Sequence, residues 1–112
     1  MNNVVIVGRI VRNPEIKQTD NSTSVLNITL AVDRSFKNIN GEYEVDFIDC
    51  ILWKGIAKST AEYCVKGDLI GVKGRLQTRT YMHGDIKRTA SEVVAEKVTF
   101  LSYNRNKEKK EE

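Results

Sequence analysis

Phe36, Trp53 and Tyr81 have Lys or Arg close by in sequence, and Phe47 shares a strand parity with Trp53. A ring beside a cation can stack on a nucleobase while the charge pairs with a phosphate, and stacking contributes about 1–3 kcal/mol per base whatever the base. The candidate phosphate contacts are Arg9, Arg34, Lys37, Lys54, Lys73, Arg75, Arg79, Lys87 and Arg88. Lys73, Arg75 and Arg79 stand out, because between Leu69 and Tyr81 they share a parity with Tyr81, opposite Ile70, Val72, Gly74 and Leu76. As a strand, this segment has one apolar face and one cationic face. The same period of two sets Phe47, Asp49, Ile51 and Trp53 against Ile48, Cys50 and Leu52. At ~3.3 Å per residue, Phe47 and Trp53 fall on one face about 20 Å apart. Each aromatic could instead be a core side chain, the commoner fate of Phe and Trp. Parity opposes that for Phe47, Trp53 and Tyr81, whereas Phe36 rests on its neighbours Arg34 and Lys37 at what reads as the start of a loop.

Bond-making chemistry finds no comparable support. Asp46 and Asp49 have opposite strand parity and form no carboxylate pair, and neither a P-loop nor a GxSxG motif is present. Cys50 and Cys64 are too far apart for a CxxC pair, and the single His83 cannot complete a zinc set with them. No metal or cofactor is expected, and the chain does not read as an enzyme. Cys50 lies on the core parity and reads as a small buried hydrophobe. Gly71 and Gly74 read as sites of a barrel bend or a close backbone approach.

With 112 residues the chain is expected to form one domain, and its 40% apolar and 29% charged residues are ordinary for a soluble protein. A net charge of +3 is mild, so the placement of charge matters more than its sum. No stretch reaches membrane-span length and no leader pattern opens the chain, so a cytoplasmic, nucleoid-associated protein is expected, with two free thiols suiting a reducing compartment.

The elements that must position these residues follow from the same alternation. Met1 to Val11 is strand-like with apolar residues on both parities, so Val5 and Val7 ask for cover on an outer face and suggest a partner subunit. Asn13-Pro14 breaks the run, and Asp20-Asn21-Ser22 reads as a turn. Leu26, Ile28, Leu30 and Val32 then alternate with polar or small residues in the clearest half-buried strand, ending near Arg34. Asn40-Gly41 marks a loop tip before a strand from Tyr43 to Trp53. Ile56, Ala57, Thr60, Ala61 and Cys64 have helical spacing, with Gly67 placed for a left-handed helix C-terminus. The basic strand follows, then a His83-Gly84-Asp85 turn and a last strand region from Ile86 to Leu101, whose imperfect alternation predicts a bulge or bend near Ala90 to Ala95. Three strands, one helix and two strands make an all-β chain with one short helix, the order of the OB-fold five-stranded Greek-key barrel. The domain is expected over 1–103, and 104–112 (NRNKEKKEE) reads as a disordered polar tail.

Several segments, in order and spacing, resemble the bacterial and phage single-stranded DNA-binding proteins, most closely in style those of Gram-positive bacteria and their phages. They are Asn3-Val4-Val5-Ile6-Val7-Gly8-Arg9-Ile10, Asn13-Pro14-Glu15, Asn27-Ile28-Thr29-Leu30-Ala31-Val32, Asp46-Phe47-Ile48, Lys66-Gly67-Asp68 and Gly74-Arg75-Leu76-Gln77-Thr78-Arg79. The resemblance implies an OB-fold subunit of a homotetramer that wraps single-stranded DNA with little sequence preference in replication, recombination, repair or DNA uptake. It places family stacking positions on Phe36, Phe47, Trp53 and Tyr81. Relatives often carry Trp at several of these, whereas here only Trp53 is Trp, which implies weaker stacking. Full-length bacterial members typically continue into a flexible linker and an acidic tip that docks replication partners. Here the last nine residues carry four basic and three acidic groups. They do not mimic such a tip, and recruitment by that route is not assigned. A shortened form, a short paralogue linked to DNA uptake and a mobile-element copy all fit.

The residues themselves leave two other binding classes open. One is an OB-fold adaptor using its aromatic face for protein contacts, since interfaces are also enriched in aromatics and Arg. The other is a single-stranded RNA binder, as in cold-shock-like barrels: with no feature that reads a 2′-hydroxyl, the residues alone do not decide between RNA and DNA, and the resemblance favours DNA.

Overall fold

The computed structural model describes residues 1–102; the expected polar tail lies outside the described residues. Alternating apolar positions become strands β1 (Val4–Ile10), β2 (Lys17–Gln18), β3 (Ser24–Lys37) and β4 (Tyr43–Trp53), followed by helix α1 (Lys54–Tyr63) and strands β5 (Leu69–His83) and β6 (Ile86–Phe100). The expected order is observed, with the two-residue β2 added as a short ribbon along β3. β1 pairs antiparallel with both β5 and β3, β5 with β6, and β3 with β4, while β4 and β6 run parallel and complete the circuit. The result is a closed five-stranded barrel of the OB type.

Its interior holds Leu26, Ile28 and Leu30 of β3, Cys50 and Leu52 of β4, Ile70 and Val72 of β5, and Val93 and Ala95 of β6, all buried. Ala57 and Cys64 of the α1 region plug the barrel. The core parity read from β3, β4 and the first half of β5 is therefore the observed one. Close approaches carry the barrel round two corners. A Cβ on Gly8 would lie 2.7 Å from the Ala31 carbonyl oxygen, where β1 turns from β5 onto β3. A Cβ on Gly74 would lie 2.0 Å from the Val94 carbonyl oxygen, so β5 and β6 meet there at a distance only glycine allows. Gly71 differs, since its nearest atom would be an ordinary 3.6 Å away.

Three local expectations are corrected, while the irregularity expected in β6 is observed between Ala95 and Lys97, the partners of Gly74 and Lys73, at the edge of its window. It is set by the contact at Gly74 rather than by β6's own pattern. β3 runs on to Lys37, so Phe36 sits on a hairpin arm and not in a loop start. Leu76 is 49% exposed although it has core parity and its cross-strand partner Val93 is buried in the core. Helix α1 ends on an extended Cys64, whose N–H donates to the Thr60 carbonyl. The left-handed Gly67 (φ +94°) serves the following turn instead and donates its N–H to Ile10. Among the described residues no helix is long and apolar enough to cross a membrane.

Candidate nucleic-acid interface

Residues of opposite parity to the core face outwards, and strand register aligns them. Asn27 faces Ile51 across β3–β4, Ile51 faces Val94 across β4–β6, and Val94 faces Arg75 across β5–β6. One step along, Thr29 faces Asp49 and Gln77 faces Glu92; one step further, Ala31 faces Phe47 and Arg79 faces Ala90. Val94 and Glu92 are buried although they point outwards. The outer face is therefore a trough floored by β6, with walls from β4 and β5.

Direction follows from the same pairing. β4 and β6 are each the returning strand of a hairpin, and they run parallel. Both hairpin tips, 38–42 and Gly84–Asp85, thus project to the same side of the barrel. Asn38 builds the first tip, accepting the N–H groups of Asn40 and Glu42 on its side-chain oxygen. β4 and β6 pair only at Cys50–Val93 and Ile51–Val94. Beyond this they part to form a cleft of about 230 Å³ lined by Arg12, Asn27, Thr29, Asp49, Arg79 and Glu92 among others.

The four sequence-selected aromatics lie on the arms and walls and are exposed to different degrees: Phe36 85%, Phe47 68%, Tyr81 39% and Trp53 38%. Phe47 and Trp53 share the outward parity of β4, opposite Ala31 and Val25. Tyr81 stands opposite Arg88 on the other arm. Tyr43, also exposed and on the outward parity of β4, escaped the sequence reading, although the period that singled out Phe47 and Trp53 includes it. Lys37 lies 5.6 Å from the centre of its ring.

The cations divide into groups. Lys73 and Arg75 are exposed on the outer face of β5, with Arg75 Nη1 donating to Gln77 Oε1 at 3.2 Å. Arg88 and Lys87 lie on the β6 side of the second arm, opposite Tyr81 and Met82. Lys54 follows Trp53 directly, in a left-handed conformation (φ 56°) that opens α1. Arg34 is held by carboxylates on the neighbouring strand, with Nη2 2.9 Å from Asp46 Oδ1 and Nη1 bonded to Glu44. The hydrogen bond from Arg34 lowers the Asp46 pKa below the ordinary carboxylate range, and Asp46 raises that of Arg34. Arg79 donates from Nε to Glu92 Oε1 at 3.0 Å. Arg9 donates to the Gly67 carbonyl and pairs in register with Leu69, at the end of β5 remote from the arms.

Other trough residues escaped notice because their types are unremarkable singly. Arg12 Nη2 approaches Thr29 Oγ1 (3.4 Å), whose hydroxyl donates to Asp49 Oδ1 at 2.8 Å. Their only sequence signal is the outward parity of Asn27, Thr29 and Asp49. Beneath Asp49, burial first and the Asp49 charge second push the Cys50 thiol pKa up to about 12. Val5 and Val7 lie on the outer face of β1, 71% and 47% exposed, with Val5 facing Lys73 and Val7 facing Gly71 across β1–β5.

An outward trough with exposed rings and cations can accept a flexible anionic strand, bases against rings and phosphates against ammonium and guanidinium groups. It presents no nucleophile paired with a base. Comparison with known proteins gives a consistent result. The family model described as "Single-strand binding protein family" matches residues 1–101. A protein of Halalkalibacterium halodurans named single-stranded DNA-binding protein is 49% identical over 102 residues, 90% of this chain and 61% of that protein. Single-stranded DNA-binding protein B of Bacillus subtilis is 45% identical over 89% of both chains, and single-stranded DNA-binding protein 3 of Listeria innocua is 48% identical over 95% of this chain and 67% of its own. The chain thus spans about three fifths of some relatives, such as the 61% above, and nearly all of others. With a family match running from the first residue of β1's approach to the end of β6, the chain belongs to the single-strand binding protein family.

Proposed function

We propose that this protein binds and protects single-stranded DNA with little sequence preference, by base stacking and phosphate pairing and without bond chemistry. The observation that carries this is the alignment of Phe47, Trp53, Lys73 and Arg75 on the outer face of one continuous sheet, with Phe36 and Tyr81 on arms that project from it. Rings tolerate any base, and the cations read no base edge, so neither group selects sequence. Family membership favours DNA over RNA and over a purely adaptor role. Replication, recombination, repair or DNA uptake is the setting such binding serves, in the bacterial cytoplasm at the nucleoid.

Trp53 is the sole tryptophan, so its fluorescence reports one position in the trough. Titration with long oligo-dT at low salt should quench it to saturation. Affinity should fall with salt at a log–log slope of about −0.7 per phosphate contact. Absence of binding at low salt by this signal and by a gel assay would refute the function. Salt-independent binding would point to an apolar protein interface instead.

A homotetramer is part of the same proposal, with Val5 and Val7 in the subunit contact. Their exposure on β1 is what supports it, since adjacent apolar side chains on an outer strand face favour cover. Val5→Lys with Val7→Lys should lower the mass measured by light scattering to that of a smaller assembly. An unchanged mass would remove this strand from the interface. Recruitment of replication proteins through an acidic tip is not part of the proposal.

A further inference from the structure

Glu92 is a carboxylate on the floor of a trough proposed to hold an anion. Its side chain is only 8% exposed, and its ion-pair partner is Arg79, itself 60% exposed. In register Arg79 faces Ala90, so it reaches back one step along β6 to place Nε 3.0 Å from Glu92 Oε1. That reach leaves the guanidinium carbon 5.5 Å from the centre of the Tyr81 ring, two residues on and on the same face. A guanidinium on one ring face leaves the other face for a base, in keeping with the 39% exposure of Tyr81.

We infer that Glu92 is a positioning residue for the Tyr81 stacking site. It holds Arg79 across one face of Tyr81, so that Arg79 serves the ring and is not a phosphate contact. The inference rests on the DNA-binding reading above and reassigns one of the cations that strand parity had placed with the phosphates. Two physical points carry it. A buried carboxylate binds its guanidinium more firmly than an exposed, screened phosphate can. A cation over an aromatic face also contributes enough to matter, equivalent to about two- to fivefold in affinity at an exposed site.

The test is the charge-neutral pair Arg79→Ala with Glu92→Gln, made in the full chain and titrated with oligo-dT across a salt series. Affinity should fall about two- to fivefold at every salt concentration, with the log–log slope unchanged, because no released counterion is lost. A slope shallower by about 0.7 would show that Arg79 pairs with a phosphate and would overturn the inference. In a Tyr81→Ala background the same pair should have no further effect; an undiminished loss there would also overturn it. Glu92→Gln alone should bind more weakly than the parent at high salt, where charge effects are screened. Tighter binding at all salt concentrations, the result of merely deleting a repelling carboxylate, would count against it. A readout without DNA guards against misfolded variants: the Arg79 Nε–H resonance of the parent should be protected from exchange and should lose that protection in Glu92→Gln. Parental protein that fails to bind DNA would sink the function itself, whereas parental binding with a shallower slope in the neutral pair sinks only this inference.

Discussion

Replacing Gly74 by Ala tests how the second arm is aimed. The added Cβ would lie 2.0 Å from the Val94 carbonyl oxygen and 3.1 Å from the Ala95 Cα. Both neighbours are backbone, so no side-chain rotation relieves the contact, and β5 and β6 must part by about 1 Å or more to restore ordinary van der Waals distance. Overpacking of this kind costs about 1–3 kcal/mol, and a clash with fixed backbone belongs at the upper end. In a domain of this size each kcal/mol lowers Tm by about 4–8 °C, so Gly74→Ala should melt roughly 12–24 °C below the parent. Two other glycines calibrate the result. Gly71→Ala meets its nearest atom at 3.6 Å and should be close to neutral. Gly55→Ala meets nothing within 4 Å in α1 and should gain about 0.5–1 kcal/mol. Far-UV circular dichroism melts of the three variants decide the matter. Because the bulge lies between the Lys73 and Arg75 positions and Tyr81 rides on the arm beyond it, oligo-dT affinity should also fall below 20 °C, where Gly74→Ala remains folded. If Gly74→Ala melts alongside Gly71→Ala, the close approach that defines this corner of the barrel is not present.

Further outcomes follow from burial and charge. Phe47→Ala, at a ring already 68% exposed, should cost at most about 1 kcal/mol of stability yet weaken oligo-dT binding by about 1–3 kcal/mol, or about 5- to 150-fold. Leu30→Ala, fully buried in the core, should do the reverse, losing about 2–5 kcal/mol in urea unfolding. The Cys50 thiol, raised to about 12 by burial, should resist a thiol reagent at pH 8 in the folded protein and react at once in denaturant; prompt reaction in the folded state would contradict its place in the barrel. Asp46, lowered by Arg34, contributes stability that is present above its unfolded pKa of about 3.9 and is lost as pH falls through the folded value. Asp46→Asn should therefore be less stable than the parent at pH 7, with the two curves converging in acid. A constant offset down to pH 2 would refute the pairing.

Much of the molecule is legible without coordinates because the period of a strand is covalent geometry. Leu26, Ile28 and Leu30 bury together, and Phe47 and Trp53 turn outwards together, simply because successive side chains alternate. Strand order, the helix position and the outward aromatics were accessible for that reason. Tyr43 was accessible by the same rule and was overlooked. Expectations failed where the outcome depends on how one strand pairs with another. The end of β3 was misjudged because its continuation to Lys37 depends on pairing with Tyr43 across the hairpin. Leu76 has inward parity and lies opposite the buried Val93, yet is itself 49% exposed.

The cations mark the sharpest division. Strand parity placed Lys73, Arg75 and Arg79 on one face as equals, and local sequence made Arg34 a plausible companion of Phe36. Tertiary structure separates them, because Asp46 and Glu44 lie beside Arg34 across β3–β4, and Glu92 lies beside Arg79 across β5–β6. Register decides which charges meet, and register is set by the barrel as a whole. By itself, then, the sequence determined which side of each strand faces the core and which rings face out, since that follows from backbone geometry residue by residue. The trough between the arms, the bulge at Gly74 and the pairing of each arginine came only with tertiary structure, because each requires two strands laid side by side in a definite register, which alternation along one strand does not set.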